Sequence, residues 1–227
     1  EYCTCSRKAT LWMYGDNPQY PVIWIKNGVD TDRFKFSESA RKEIRKKLNI
    51  EDETLVIGTV GDLSYSKNPE YLIRIMRELK NATENKYKLI YIGSGNNDKS
   101  VRMYANEMEV VNDVIFYGKT DNVQKVLCAL DIYVMPSRFE GLPVSVIEAQ
   151  ANGLPCILSS EITTEVGLSE NTQFIRLAES IDNWVKSIQK MSQENRCREN
   201  GEILVRNHGF DIHQTAEMIY QIYNMTS

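Results

Sequence analysis

The chain has 227 residues, 42% hydrophobic and 26% charged, with 27 basic and 31 acidic side chains and a formal charge of −4. This is the composition of an ordinary folded protein, long enough to bury roughly 70% of its unfolded surface, and its acidic balance argues against a nucleic-acid partner. No apolar run approaches the roughly 20 residues that span a bilayer and no secretory signal pattern is present, so the chain reads as cytoplasmic.

The first 29 residues do not share the rhythm of the rest of the chain. YCTCSRKATLWMYG (2–15) carries a helical pattern, PVIWIKNG (21–28) a strand pattern, and NGVDTDRF (27–34) reads as a turn. Residue 1 is Glu rather than Met, so the sequence is expected to begin partway through a larger protein. Cysteines at 3, 5, 128, 156 and 197 are odd in number and sit in apolar or helical settings, which suits free thiols better than disulfides. Cys3 and Cys5 with His208 and His213 could be imagined as a zinc set, but C-x-C is not the usual ligand spacing, and no metal is expected. No nucleophile motif accompanies the two histidines, which leaves hydrolase triads without support.

From Thr54 onward, β-rich runs alternate with helical patterns. Strands are predicted at 54–60, 87–93, 113–118, 131–137, 155–160 and, more weakly, 173–177. The segment NPEYLIRIMRELK places Tyr71, Leu72, Ile75, Met76 and Leu79 on one helical face, with Asn68 as N-cap and Pro69 as the first helical residue. Further helices fit 98–109, 122–130, 143–152, 179–192, 194–207 and 211–224. Apolar strands separated by helices predict a Rossmann-like α/β domain, a parallel sheet with helices on both faces.

In such a sheet, ligands collect outside the carboxyl ends of the strands. GDLSYSKN, GKTDN and SRFEGLP occupy that position after the first, third and fourth of these strands. In RFEGLPVSVIEAQANGLP (138–155), Gly141 frees the backbone for close approach and Pro143 suits a first helical turn. Residues 142–145 would then present unpaired N–H groups, a natural phosphate seat. Glu148 would lie roughly 7.5 Å along the helix from Pro143, a separation that suits a ribose diol beside a bound diphosphate. Glu140, in the turn, is placed to meet sugar hydroxyls rather than phosphate. Read without that context, the two glutamates only complement a helix dipole, each by about 0.3–1 kcal/mol, and Lys67 is a solvated loop lysine.

The stretch RFEGLPVSVIEAQANGLP resembles the E-x7-E signature of the retaining family 4 (group 1) glycosyltransferases, whose two-domain architecture is GT-B. KNGVDTDRF, GDLSYSKN, YIGSG, VIFYGKTDNV and ALDIYVMPSRFEGLP occur in the order seen in that family, most like its bacterial exopolysaccharide and capsule-type members. The resemblance implies that residues 30–227 are the nucleotide-sugar donor domain, with 1–29 a remnant of the acceptor-side domain and junction, and 211–224 a helix crossing back toward that domain. It implies that Glu140 contacts donor-sugar hydroxyls and that the backbone of Gly141, Leu142, Pro143 and Val144 meets phosphate or sugar. Glu148 would bind the ribose, Lys67 would neutralise the diphosphate, and residues around Lys119 would line the base pocket.

Gly61 is followed by Asp62 where many relatives carry Arg. Asp62 is therefore expected to turn away, to be replaced in function by a cation such as Arg138, or to weaken donor binding. The implied reaction is retaining hexosyl transfer from a UDP- or GDP-type sugar to a glycan or lipid-linked acceptor, without cofactor or metal. The full-length form would act in the cytoplasm, at the inner membrane face where its acceptor is a lipid. Asp30-Thr31-Asp32 looks like a metal-binding D-x-D but reads as a turn with capping aspartates. A nicotinamide oxidoreductase fails for want of G-x-G-x-x-G. A GT-B sugar-nucleotide epimerase and a non-catalytic sugar-nucleotide binding module are the alternatives.

Overall fold

Six runs become six parallel strands: the four central ones are buried on both sides, whereas the two edge strands, Val114–Gly118 and Thr172–Ile175, are only partly covered. The computed structural model describes residues 2–194 and 198–225. In chain order its elements are β1 (Tyr2–Thr4), α1 (Arg7–Tyr14), β2 (Val22–Trp24), α2 (Thr31–Phe34), α3 (Glu38–Lys47), β3 (Leu55–Val60), α4 (Pro69–Ala82), β4 (Tyr87–Ile92) and α5 (Asp98–Glu107). Next come β5 (Val114–Gly118), α6 (Val123–Cys128), β6 (Ile132–Met135), α7 (Val144–Ala151), β7 (Cys156–Ser159), β8 (Thr172–Ile175), α8 (Ile181–Gln193), α9 (Gly201–Asn207) and α10 (Ile212–Met225).

The main sheet has the order β5-β4-β3-β6-β7-β8, all pairs parallel. Alternate residues of each strand feed two separate cores. Ile57, Leu89, Tyr91, Val134 and Ile157 pack with Leu72 of α4, Val101 of α5 and Trp184 of α8. Val56, Ile90, Tyr133 and Leu158 pack with Leu127 of α6, Ile147 of α7 and Val205 of α9. The chain winds outward from β3 to β5, then returns to place β6 on the other side of β3, so the two strands flank the topological switch point of the sheet, where open parallel sheets form their ligand crevice.

All six predicted strands form, and the predicted apolar face of α4 is buried throughout. Other expectations are corrected. Residues 2–4 form a strand, not helix, and pair in parallel with β2 as a separate two-stranded sheet. Asn68 occupies the N-cap position of α4 but makes no side-chain cap bond: its backbone is left-handed, and its Nδ2 donates to the Pro136 carbonyl at 3.0 Å. Residues 31–34 are helical rather than a simple turn, although Asp30 caps them as expected by accepting from the Arg33 amide at 3.0 Å. The helix expected over 194–207 begins only at α9, Gly201–Asn207: residues 194 and 198–200 are not helical, and residues 195–197, with Cys197, lie outside the described residues.

The junction and the last helix run side by side. The Val29 amide donates to Phe210 O at 2.7 Å, and the Ile212 amide donates to Val29 O at 3.0 Å. Buried Asp211 anchors this corner, accepting from Thr31 Oγ1 at 2.5 Å and pairing with Arg206. Beyond it, Met218, Ile219, Tyr220 and Tyr223 of α10 are exposed. Among the described residues no helix is long and apolar enough to cross a membrane.

Candidate functional site

The two loops that flank the crevice, 61–68 after β3 and 136–143 after β6, are fastened to each other. The Arg138 amide donates to Ser66 O at 2.7 Å, and its guanidinium donates to Tyr65 O at 2.6 Å while stacking 4.1 Å over the Tyr65 ring. The Asn68 side chain adds its bond to Pro136 O, which explains why it cannot cap α4. The fourth link is ionic: Lys67 Nζ lies 2.6 Å from Glu140 Oε1, with side chains 21% and 14% exposed. Little water reaches such a pair, so its attraction is screened less than that of a surface pair.

Backbone geometry delivers Lys67 to this place. Its stem runs across Gly61, where a Cβ would stand 3.1 Å from Lys67 Cε. Gly93, at the end of β4, has φ +136°, and a Cβ there would fall 1.9 Å from Gly61 O, so only glycine lets the two strand ends approach. Two buried tyrosines brace the crevice from below. Tyr91 donates to Asp62 O at 2.9 Å; Tyr133 donates to Ser145 Oγ at 3.0 Å and accepts from the Val60 amide at 3.3 Å. Burial pushes both phenols upward in pKa, so both remain neutral donors.

Across the crevice stands the start of α7. Pro143 is its extended N-cap rather than a residue of the first turn, and Val144 is the first helical residue. No side chain caps this end and no acidic residue stands in its first turn, which leaves backbone N–H groups and the positive helix end to the crevice. A Cβ on Gly141 would meet nothing within 4 Å, so this glycine is not required by the protein's own packing and faces open space. Glu148, just over one turn along α7, is half-buried. Burial pushes its carboxyl up to about 6, with the positive charge of Arg33 opposing. Arg33 also donates to Asp121 O at 2.6 Å, tying α2 to the loop after β5, on which Lys119 is exposed.

A family model described as glycosyl transferases group 1 matches residues 40–203. The chain belongs to that family. EpsF of Bacillus subtilis (strain 168), named as a glycosyltransferase, is 30% identical over 230 residues, 99% of this chain and 59% of the relative. An Escherichia coli UDP-Gal:alpha-D-GlcNAc-diphosphoundecaprenol alpha-1,3-galactosyltransferase is 27% identical over 88% of this chain and 53% of its own length. The crystal structure of Anabaena Alr3699/HepE in complex with UDP and glucose superposes with a TM-score of 0.85 at 18% identity, covering 98% of this chain and 62% of that one. The fold is therefore that of GT-B glycosyltransferases, and the chain spans somewhat over half the length of the curated relatives it matches.

In this group 1 glycosyltransferase domain, the crevice brings together Gly61, Lys67, Arg138, Glu140, Gly141, Leu142, Pro143 and Val144. Glu148 and Lys119 stand further along, on α7 and on the loop after β5. Asp62 turns aside: its carboxylate accepts from Ser64 Oγ at 3.0 Å and is exposed. Arg138 is engaged with Tyr65. Sequence reasoning missed Arg33, Tyr91 and Tyr133, which read as a turn residue and two core aromatics. It also missed Ser6, whose hydroxyl donates to Gly141 O at 3.1 Å and fastens the N-terminal segment to the crevice. No metal-holding cluster of three or more His, Cys, Asp or Glu side chains occurs among the described residues.

Proposed function

We propose that this chain is the donor half of a retaining family 4 hexosyltransferase, binding a nucleoside diphosphate sugar in the crevice between β3 and α7. Residues 30–227 form the donor domain, 1–29 belong to the acceptor-side domain and its junction, and α10 returns toward that domain. The observation that carries the reading is the convergence of a cation, a carboxylate and an uncapped helix N-terminus at the switch point of the sheet. The diphosphate lies between Lys67 and the amides of Gly141, Leu142, Val144 and Ser145, the ribose diol donates to Glu148, and the base lies toward Lys119.

The chemistry depends on where charge develops. As the bond from the anomeric carbon to the diphosphate breaks, the electron pair leaves with the phosphate, and Lys67 with the first amides of α7 stabilises the negative charge in place. Glu140, at the sugar, accepts hydroxyl hydrogen bonds and offsets the positive charge on the anomeric carbon. The acceptor hydroxyl then bonds that carbon on the face from which the diphosphate leaves, and its proton passes to the departing diphosphate oxygen. These positive groups supply the stabilisation that a metal provides elsewhere, so we assign no metal or cofactor.

The nucleotides in the names of the E. coli relative and of the Anabaena complex support UDP as donor nucleotide, and the diphosphoundecaprenol in the E. coli relative's name supports a glycan or lipid-linked acceptor, which fits a bacterial exopolysaccharide or capsule role. A cytoplasmic full-length enzyme, peripheral to the membrane where the acceptor is a lipid, fits this chemistry. Because this chain covers 59% of EpsF, we expect it to bind donor without turning it over. Calorimetric titration with UDP, GDP and NAD tests the reading: a nucleoside diphosphate binds and NAD does not. NAD binding without either diphosphate contradicts it.

A further inference from the structure

Lys67 and Glu140 have different proposed ligands, phosphate for one and sugar for the other, yet in this structure they are each other's partners at 2.6 Å. We infer that this ion pair is a selectivity device, by which Glu140 competes with the donor's diphosphate for Lys67 and so favours intact sugar nucleotide over the bare nucleoside diphosphate product. The inference rests on the proposed donor site and adds to it a reason for the carboxylate's position.

The pair is neutral, so an arriving diphosphate meets a lysine whose charge is already matched and must take the ammonium over from Glu140. At 14% exposure, Glu140 cannot recover its lost counter-ion from bulk water, and it is left beside an anion of the same sign. Removing one partner of a close, desolvated pair is costly because the other charge stays behind unpaired. A sugar attached to the diphosphate offsets this cost, since its hydroxyls donate to the freed carboxylate. UDP has no such group to offer. The neighbouring cation does not substitute, because Arg138 is held on the Tyr65 carbonyl and ring. Nor does α7 help Glu140: its exposed N–H groups serve whichever anion sits at the crevice, and the diphosphate is that anion.

Titration of this chain with UDP and UDP-glucose, or with GDP and GDP-mannose where the wild type prefers guanine, tests the inference in wild type, Glu140→Gln, Glu140→Ala, Lys67→Ala and the Lys67→Ala/Glu140→Gln double variant. Glu140→Gln and Glu140→Ala are expected to bind the bare diphosphate at least about fivefold tighter than wild type, within the usual range of coupling between sites. The preference for sugar nucleotide over diphosphate falls by at least the same factor, and the Glu140→Gln gain in diphosphate binding is smaller once Lys67 is gone, where only the repulsion between carboxylate and diphosphate is left to relieve. If Lys67→Ala weakens diphosphate binding while both Glu140 variants leave it unchanged or weaker, the inference is wrong and the site stands. The inference is equally overturned if the Glu140→Gln gain survives in full in the double variant. If Lys67→Ala leaves diphosphate binding unchanged, the site assignment fails and takes the inference with it.

Discussion

The two ends of the sheet treat buried charge in opposite ways. At the amino ends, Arg41, Arg45 and Arg198 converge on the last carbonyls of α6. Arg41 donates to Cys128 O, Ala129 O and Leu130 O and to Asp131, while Arg198 reaches Leu127 O, Cys128 O and Leu130 O. Arg45, 4% exposed, donates to Glu51 O and Thr54 O at 2.7 Å each and to Ala129 O at 3.2 Å. Burial pulls Arg198 down to about 9, and the carbonyls hold it in place. At the carboxyl ends, Lys67 and Glu140 bond to each other, and the first turn of α7 has no side-chain cap. Charges saturated by backbone build the fold. Charges held by a single exchangeable partner are available to a ligand.

This contrast breaks most visibly at Arg45. Arg45→Ala strips several carbonyls of their donor and should cost about 3–5 kcal/mol of stability by chemical denaturation, with UDP affinity of the folded fraction unchanged. The mirror case is Lys67→Ala, expected to lower UDP affinity about tenfold or more by calorimetry while costing about 1–3 kcal/mol of stability, less than Arg45→Ala, because Glu140 is left without its counter-ion. Equal stability losses in the two variants would erase the distinction.

Glu148 sharpens the comparison through pH. Its folded value of about 6 lies above the ordinary 4.5 because burial disfavours the carboxylate, with Arg33 opposing. The folded state therefore holds this proton more tightly, and the group's contribution to stability declines as pH rises from about 4.5 through 6. Ligand binding runs the other way, since ribose hydroxyls need the ionised form as acceptor. UDP affinity should fall as pH drops below about 6, and Glu148→Gln, weaker by about fivefold at neutral pH, should lose that dependence. The smallest effect is expected at Asp62→Arg. This exposed carboxylate lies at the edge of the crevice, and an arginine there should tighten UDP binding by about two- to threefold in low salt. Weaker binding would assign the Asp62 bond to Ser64 a role in shaping the loop.

The sheet was legible because parallel strands covered on both faces announce themselves as apolar runs, and the site because Glu140, Gly141, Pro143 and Glu148 share one short stretch. Helix α3 was not legible. ESARKEIRKK buries only Ala40, Ile44 and Arg45, and the last of these is a charge whose burial depends on the carbonyls of the following loop and on Ala129 and Asp131, 84 and 86 residues away. The partners of Asn68 were hidden for the same reason, since its cap-like position gives no sign of Pro136 across the crevice. Most informative is Lys67 with Glu140, 73 residues apart in the chain: each was recognisable alone, but their mutual bond exists only once β3 and β6 become neighbours.

Backbone amide chemical shifts recorded during titration with UDP test the central claim most directly. Binding at the switch point predicts shifts concentrated in residues 61–67 and in Gly141, Leu142, Val144 and Ser145, with the amides around Arg41, Arg45 and Arg198 unmoved. Shifts centred on the arginine cluster, or none in the crevice while UDP is bound, would contradict it.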